Sequence, residues 1–190
     1  MRPDPRRLLR FWLDEVGPPG WFGGGPALDA RIARDWGTAW RMAHAGAYGS
    51  WEATPEGALA LAILTDQFPR NLHRGSPLAF ATDARAVALG RRALTLGHDR
   101  RLPEAQRLFL YLPFEHSESL ADQDLSVRLF AARMPTEPGY LLHARAHRAV
   151  IRRFGRFPFR NAALGRADSP EEAEWLAEGG YMAEVRRLGG

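Results

Sequence analysis

The sequence predicts an all-α protein of about eight helices in antiparallel pairs, without a β-sheet. Apolar residues recur at helical spacing, proline and glycine punctuate the chain between these stretches, and no segment alternates as a strand does. Of the 190 residues, 45% are hydrophobic and 25% are charged. This composition is typical of a globular protein with one core. We therefore expect a single domain over residues 1–190.

Apolar residues four positions apart define the first two helices. Asp4-Pro5 marks the start of helix one, because an N-cap residue is followed by proline at the first helical position. Leu8, Trp12 and Val16 then form one apolar stripe. The glycines and prolines at 17–20 are expected to end this helix. Helix two has the same spacing and ends near residue 46; its stripe is Leu28, Ile32, Trp36 and Trp40.

Proline sets the limits of several later helices. Helix three opens at Thr54-Pro55 and is expected to end at Phe68, because a residue before proline avoids the helical region. Pro113 is expected to kink or end helix five. The remaining helices are predicted at Ser76 to Gly97, Pro103 to Pro113, Asp122 to Arg133 and Pro138 to Phe154, with a last helix opened by a capping box at Ser169 to Glu172.

The composition excludes several kinds of chemistry. The formal net charge is +4, from 26 basic and 22 acidic side chains, and every basic residue is arginine. The sequence contains neither lysine nor cysteine. A Schiff-base lysine, a P-loop lysine, a thiol nucleophile and an iron–sulfur cluster are therefore excluded, and no cofactor is expected.

The distribution of charged and apolar residues bears on partners and location. Because the arginines are spread along the chain, a general preference for arginine explains the charge better than nucleic-acid binding does. No stretch approaches the roughly 18–20 apolar residues of a membrane span. The apolar run after Arg10 stops at Asp14-Glu15, which is too short for a secretory signal. We expect a cytoplasmic protein with no membrane partner, and the oligomeric state stays open.

Four polar stretches with aromatic residues and proline interrupt the apolar pattern. They are Asp66-Gln-Phe-Pro-Arg-Asn71, Ala79-Phe-Ala-Thr-Asp83, Tyr111-Leu-Pro-Phe-Glu-His-Ser-Glu118 and Phe154-Gly-Arg-Phe-Pro-Phe-Arg-Asn161. In this order they resemble the bacterial family called domain of unknown function 924, over about Phe11 to Trp175. The resemblance implies an all-helical fold similar to tetratricopeptide repeats and no established activity.

One residue departs from the family pattern. The chain has Phe159 where the family usually has histidine, in a Phe-Pro-His-Arg-Asn version of the last stretch. A role of that family histidine is therefore not carried over to this chain, and the effect of Phe159 stays open. The resemblance also places a histidine at His147.

Glu115, His116 and Glu118 are the strongest candidates for catalysis. On a helix Glu115 and Glu118 share a face, whereas His116 points about 100° away from Glu115. A carboxylate beside an imidazole is suited to general acid–base catalysis or to metal ligation. The alternative is a buried ion pair with arginine that holds two helices in register.

His143 and His147 lie one helical turn apart, the separation that zinc-binding histidine pairs use. The intervening Ala144-Arg145-Ala146 lacks the glutamate of a zinc-protease motif, and Arg145 would repel a cation. No metal site is therefore predicted, and His147 is kept as an acid–base candidate.

A second group of residues is suited to binding an anion. Arginine forks grip carboxylates and phosphates, although arginine and asparagine near helix ends also satisfy orphan carbonyls. Asp66, near the end of helix three, is expected to pair with an arginine such as Arg70. Asp83 is expected to be structural. The candidate ligand-binding residues are Arg70, Asn71, Arg156, Arg160 and Asn161.

Two functions follow from these residues. The first is a helical binding module whose polar cleft holds a small anionic ligand or an acidic peptide group. The second is a hydrolase-type enzyme, and nucleic-acid binding is a weaker third. A titratable group with a shifted pKa in the site would favour the enzyme, and arginines without internal partners would favour the binding module. The catalytic candidates are Glu115, His116, Glu118, His147 and Asp66.

Overall fold

A computed structural model describes residues 3–189, and within this range it contains helices and connecting segments but no β-strand. The all-α class is thus confirmed. The α-helices are α1 (Pro5–Leu9), α2 (Gly17–Trp21), α3 (Pro26–His44), α4 (Pro55–Ala62), α5 (Phe68–Leu72), α6 (Asp83–Thr95), α7 (Glu104–Glu115), α8 (Leu120–Arg133), α9 (Pro138–Phe154), α10 (Pro170–Ala177) and α11 (Gly180–Gly189).

Two π-helical segments and four 3₁₀ turns complete these elements. The π segments Arg10–Val16 and Ile63–Gln67 join α1 to α2 and α4 to α5. With each joined run taken as one helix, the described residues form nine helices against the eight expected. The ninth is α11, which was not predicted from the sequence. The 3₁₀ turns are Gly49–Ala53, Pro77–Phe80, Asp99–Arg101 and Pro158–Arg160.

The predicted ends of helix one at residues 17–20 and of helix three at Phe68 are wrong, because the first run continues as α2 and the second as α5. The N–H of Phe68 donates to the carbonyl of Ile63, five residues back, so the backbone passes Pro69 in a wider turn and continues as α5. Pro69 has no N–H for the carbonyl of Thr65. The hydroxyl of Thr82 donates to that carbonyl instead. A tertiary hydrogen bond therefore compensates the helix for its proline.

The predicted capping signals are present at several helix ends. The carboxylate of Asp4 accepts from the N–H of Arg6, and Gly155 ends α9 with a φ of 70°. Ser169 and Glu172 form the predicted capping box of α10. Pro113 lies inside α7, which continues only to Glu115. These local signals explain why most helix limits could be predicted.

The described chain divides into two compact units between Pro113 and Phe114. In unit 1, the residues before this point, α3 packs on α5 and α4 packs on α1 and α6. In unit 2, the residues after it, α9 packs on α8 and α11 around a core that includes Val150, Phe157 and Trp175. The single domain over 1–190 and the tetratricopeptide-like arrangement both stay predictions. Within residues 3–189, no helix has the length and apolar character that a membrane crossing requires.

Candidate active site

Two helices of unit 2 bring three polar rings together. Helix α9 places His143 and His147 one turn apart, and α11 packs on α9 and places Tyr181 against both rings. The Tyr181 hydroxyl oxygen is 2.6 Å from Nδ1 of His143 and 3.1 Å from Nδ1 of His147. These three side chains and Glu115 form what we call the His147 cluster.

Glu115, the last residue of α7, completes the cluster with a buried carboxylate. Its Oε1 is 2.9 Å from Nδ1 of His147, and only 3% of the residue is exposed. The backbone carbonyl of His143 lies 3.0 Å from the same nitrogen. Nδ1 of His147 thus faces three oxygen atoms, from Glu115, His143 and Tyr181. We therefore assign the tautomer in which Nδ1 carries the hydrogen and Nε2 is the acceptor.

Nε2 of His147 is available to a ligand. The side chain of His147 is 13% exposed, and within the described part of the chain Nε2 has no hydrogen-bond partner. The ring of Phe157 meets the imidazole edge-on at 5.5 Å, and that of His116 lies 6.1 Å away. The imidazole is thus held on one side by a carboxylate and is open at the other nitrogen.

The protonation of Tyr181 and His143 follows from their burial. Burial, together with the negative charge of Glu115, raises the pKa of Tyr181 far above its ordinary value of 10.0, so its hydroxyl stays protonated. Burial lowers the pKa of His143, with Glu115 acting in the opposite direction and His147 adding to the lowering. The Tyr181 hydroxyl therefore donates to a neutral His143.

Gln123 fixes the end of α7, where Glu115 lies. Its side chain is fully buried, and Nε2 donates to the carbonyls of Phe114, Glu115 and Ser117 at 3.3, 2.6 and 2.7 Å. Helix ends leave such carbonyls without intrahelical partners. Gln123 thus serves as a side-chain cap that positions Glu115 after Pro113.

Glu118 has an internal partner. Its two oxygens accept from Nη1 and Nη2 of Arg166, each at 2.9 Å, and Oε1 also accepts from the N–H of Phe157 at 2.8 Å. Burial alone would raise the pKa of Glu118, but the bonds to Arg166 and Phe157 outweigh it and lower that pKa. Glu118 is therefore an ionised anchor of the loop before Pro158 and does not join the His147 cluster.

The predicted anion-binding residues of unit 2 also have internal partners. Arg156 makes a bidentate pair with Glu172 at 2.6 and 2.7 Å. The amide of Asn161 donates to Asp168 at 2.7 Å. Arg160, only 6% exposed, donates to the carbonyl of His116 at 2.9 Å. These contacts hold loops together.

Glu172 is expected to give unit 2 an acid-sensitive stability. Hydrogen bonds from Arg156 and from the N–H of Ser169 hold the pKa of Glu172 at about 2, below its ordinary value of 4.5. A lowered carboxyl pKa stabilises the fold above pH 4.5 and loses this effect as the pH falls toward 2. We expect the urea concentration at the unfolding midpoint to decrease as the pH is lowered from 5 to 2.5, and to decrease less in Glu172→Gln. Glu171 forms a more exposed pair with Arg153. Glu171→Gln is therefore the control, and its midpoint should depend on pH as that of the wild type does. Equal slopes in all three proteins would contradict this assignment.

Asp66, Arg70 and Asn71 lie in unit 1, where each has a partner of its own. Nη2 of Arg70 is 3.1 Å from the carboxylates of both Asp66 and Asp83. The amide of Asn71 donates to Asp29 at 2.8 Å. The predicted pairing of Asp66 with Arg70 is present. A shared cleft that joins these residues to Arg156, Arg160 and Asn161 stays a prediction.

Two residues of unit 2 carry no sequence signal strong enough for them to have been predicted. Tyr181 was missed because α11 was not predicted, although Tyr181 and Val185 are four residues apart as in the other helices. Arg166 lies in an irregular segment without a local signal. In the described range, no group of three or more histidine or acidic side chains is arranged to hold a metal ion.

Comparison with known proteins places the chain among proteins of unknown function. It is similar to a solved structure of a protein of unknown function from Agrobacterium tumefaciens, with 38% identity and a TM-score of 0.86. The match covers 92% of this chain and 97% of that one. Residues 8–180 match the family model described as "Bacterial protein of unknown function (DUF924)", which confirms the resemblance of the four polar stretches. Among curated proteins there is no match to the chain.

Proposed function

Because the chain belongs to the DUF924 family of bacterial proteins of unknown function, we propose its function from the geometry of unit 2: it is a hydrolase that uses the His147 cluster for general acid–base catalysis. The observation that carries this proposal is the buried Glu115 carboxylate, 2.9 Å from Nδ1 of His147, with Nε2 left open. Carboxylate–imidazole pairs of this form orient a catalytic base and stabilise its protonated state.

The reaction proceeds through water held at Nε2 of His147. Nε2 takes a proton from this water while the oxygen attacks the carbonyl carbon of an ester. The N–H formed at Nε2 then returns the proton to the leaving oxygen, so that the imidazole ends the cycle neutral. Glu115 stabilises the imidazolium between these two transfers, and Tyr181 holds the ring in place through its hydroxyl.

Internal pairing of the arginines favours this proposal over an anion-binding module. A binding site for a carboxylate or phosphate needs guanidinium groups that are not already neutralised. Arg70 and Arg156 are engaged by carboxylates, and Arg160 by a carbonyl. Binding of a small anionic ligand or an acidic peptide through these residues is a separate proposal, which the Arg70→Ala variant tests. A cytoplasmic location is proposed as well.

Hydrolysis of a series of 4-nitrophenyl acyl esters tests the enzyme. We expect His147→Ala to lower kcat/KM by about 100-fold or more, because the base that activates water is lost. Glu115→Gln should lower it by at least about tenfold, because an amide does not stabilise the imidazolium. His44→Ala, at an exposed histidine of unit 1, is the matched control and should keep wild-type activity. Ester hydrolysis that His147→Ala leaves unchanged would overturn the proposal.

A second measurement needs no substrate. Diethyl pyrocarbonate acylates unprotonated imidazole nitrogens, and peptide mass spectrometry gives the rate at each histidine. We expect rapid modification of His147 and slower modification in Glu115→Gln, because the carboxylate increases the electron density of the ring. Equal rates in the two proteins would show that Glu115 does not activate His147.

A further inference from the structure

Phe159 is a large apolar side chain that the protein leaves open beside the His147 cluster. It is 44% exposed. One face of its ring stacks on Phe157 at 5.1 Å, and its ring lies edge-on to Tyr181 at 6.1 Å. Phe157 is fully buried and contacts the imidazole of His147 at 5.5 Å. A row of aromatic rings therefore leads from solvent to the proposed catalytic base.

Backbone hydrogen bonds define the turn that carries Phe159. The residue is in the 3₁₀ turn that begins at Pro158, and the proline ring fixes the φ of Pro158. The N–H of Arg160 donates to the backbone carbonyl of Phe157 at 3.0 Å, and the N–H of Asn161 donates to the backbone carbonyl of Pro158 at 2.9 Å. Arg160 and Asn161 are themselves buried. Because the ring is also stacked on Phe157, ligand binding requires less ordering of this side chain.

In the described part of the chain, the exposed face of the Phe159 ring is free of the protein's own cations. Within residues 3–189 no guanidinium lies over Phe159, whereas Arg160 lies over Phe157 at 4.5 Å from its centroid. The exposed part of this ring offers a planar, apolar surface. Aromatic rings prefer to occupy such a surface in offset-stacked or edge-on geometry.

We infer that Phe159 is the substrate-binding platform of this site, and that the substrate is an ester carrying an aromatic group next to the scissile bond. The inference rests on the proposed function and names the substrate class for it. The aromatic group lies on the free face of Phe159, and the carbonyl carbon lies toward Nε2 of His147. Phe159 is thus a specificity-determining residue, and His147 carries the chemistry.

Binding of benzyl alcohol, observed by NMR, tests the platform separately from catalysis. The protein carries ¹³C in its phenylalanine and histidine rings, and cyclohexylmethanol serves as a probe of the same carbon skeleton without a planar ring. We expect benzyl alcohol to shift the signals of Phe159 and His147 together, with a Kd on the order of 1 mM, as is usual for so small a ligand. Cyclohexylmethanol should bind several-fold more weakly.

Substitutions at Phe159 give the decisive comparison. Phe159→Leu keeps an apolar side chain but removes the planar face. It should weaken benzyl alcohol binding about five- to tenfold, as expected from the interaction energy of an aromatic pair. Phe159→Trp should keep the affinity, and so should Phe22→Leu, at an exposed aromatic ring of unit 1.

Two results would overturn the inference: equal affinity in Phe159→Leu and wild type, or binding that shifts Phe159 but not His147. Failure of the proposed function would be detected by a different measurement. In that case Glu115→Gln would not change the rate at which diethyl pyrocarbonate modifies His147.

Discussion

Phe68→Ala is expected to lower the free energy of unfolding by about 4 kcal/mol, within the range for removing a buried phenylalanine. The Phe68 side chain is fully buried in unit 1, and its ring packs against three others. The ring centroids of Phe11, Trp12 and Trp36 lie 6.0, 5.3 and 6.0 Å from it. Removal of the ring therefore leaves a cavity among large, rigid neighbours that are poorly able to close it.

Urea unfolding followed by tryptophan fluorescence measures this loss. Phe68→Leu fills most of the same volume and is expected to cost about 1 kcal/mol, in the range of volume-conserving changes. Comparison of the two variants separates the cost of the cavity from the cost of replacing the aromatic side chain. A loss below about 1 kcal/mol for Phe68→Ala would contradict this tight packing of the Phe68 ring.

The sequence predicted most helices because their limits are local. In α9, proline at the first position and glycine after the last residue are sufficient, and the predicted range Pro138–Phe154 is the observed one. The end at Phe68 could not be predicted. Whether a helix passes Pro69 depends on the Thr82 hydroxyl, which the fold brings to the carbonyl of Thr65. Local sequence signals were therefore sufficient to predict that a helix forms there, but a tertiary hydrogen bond determines that it continues past Pro69.

The candidate site was predictable as a set of residue types but not as a set of pairs. Glu115 and Glu118 looked equivalent in the sequence, yet Glu115 contacts His147 and Glu118 contacts Arg166. These partners lie 32 and 48 residues away, and only the packing within unit 2 selects them. Tyr181 shows the same limit, because the helix that contains it was not expected.

Arg70→Ala is expected to lower the free energy of unfolding by about 3 kcal/mol. This value is the lower end of the range for breaking a buried ion pair, and we choose it because the arginine side chain is 22% exposed. Its guanidinium neutralises Asp66 and Asp83, and the side chain of Asp66 is only 1% exposed. Burial alone would lower the pKa of Arg70, but these two carboxylates outweigh it and raise that pKa. Without Arg70, the buried carboxylate of Asp66 would lose its guanidinium partner.

Arg74 offers the matched control, since it pairs with Asp29 at 2.6 Å while 55% of its side chain is exposed. Arg74→Ala should therefore cost about 0.5 kcal/mol, as exposed ion pairs do. Melting each protein in phosphate and in chloride at equal ionic strength then decides between a structural pair and an anion site. If Arg70 serves the fold, the large loss appears and phosphate does not raise the wild-type Tm. A small loss, with a phosphate-dependent rise in Tm that Arg70→Ala abolishes, would instead establish Arg70 as a ligand-binding residue, because a bound anion stabilises only the folded protein that holds it.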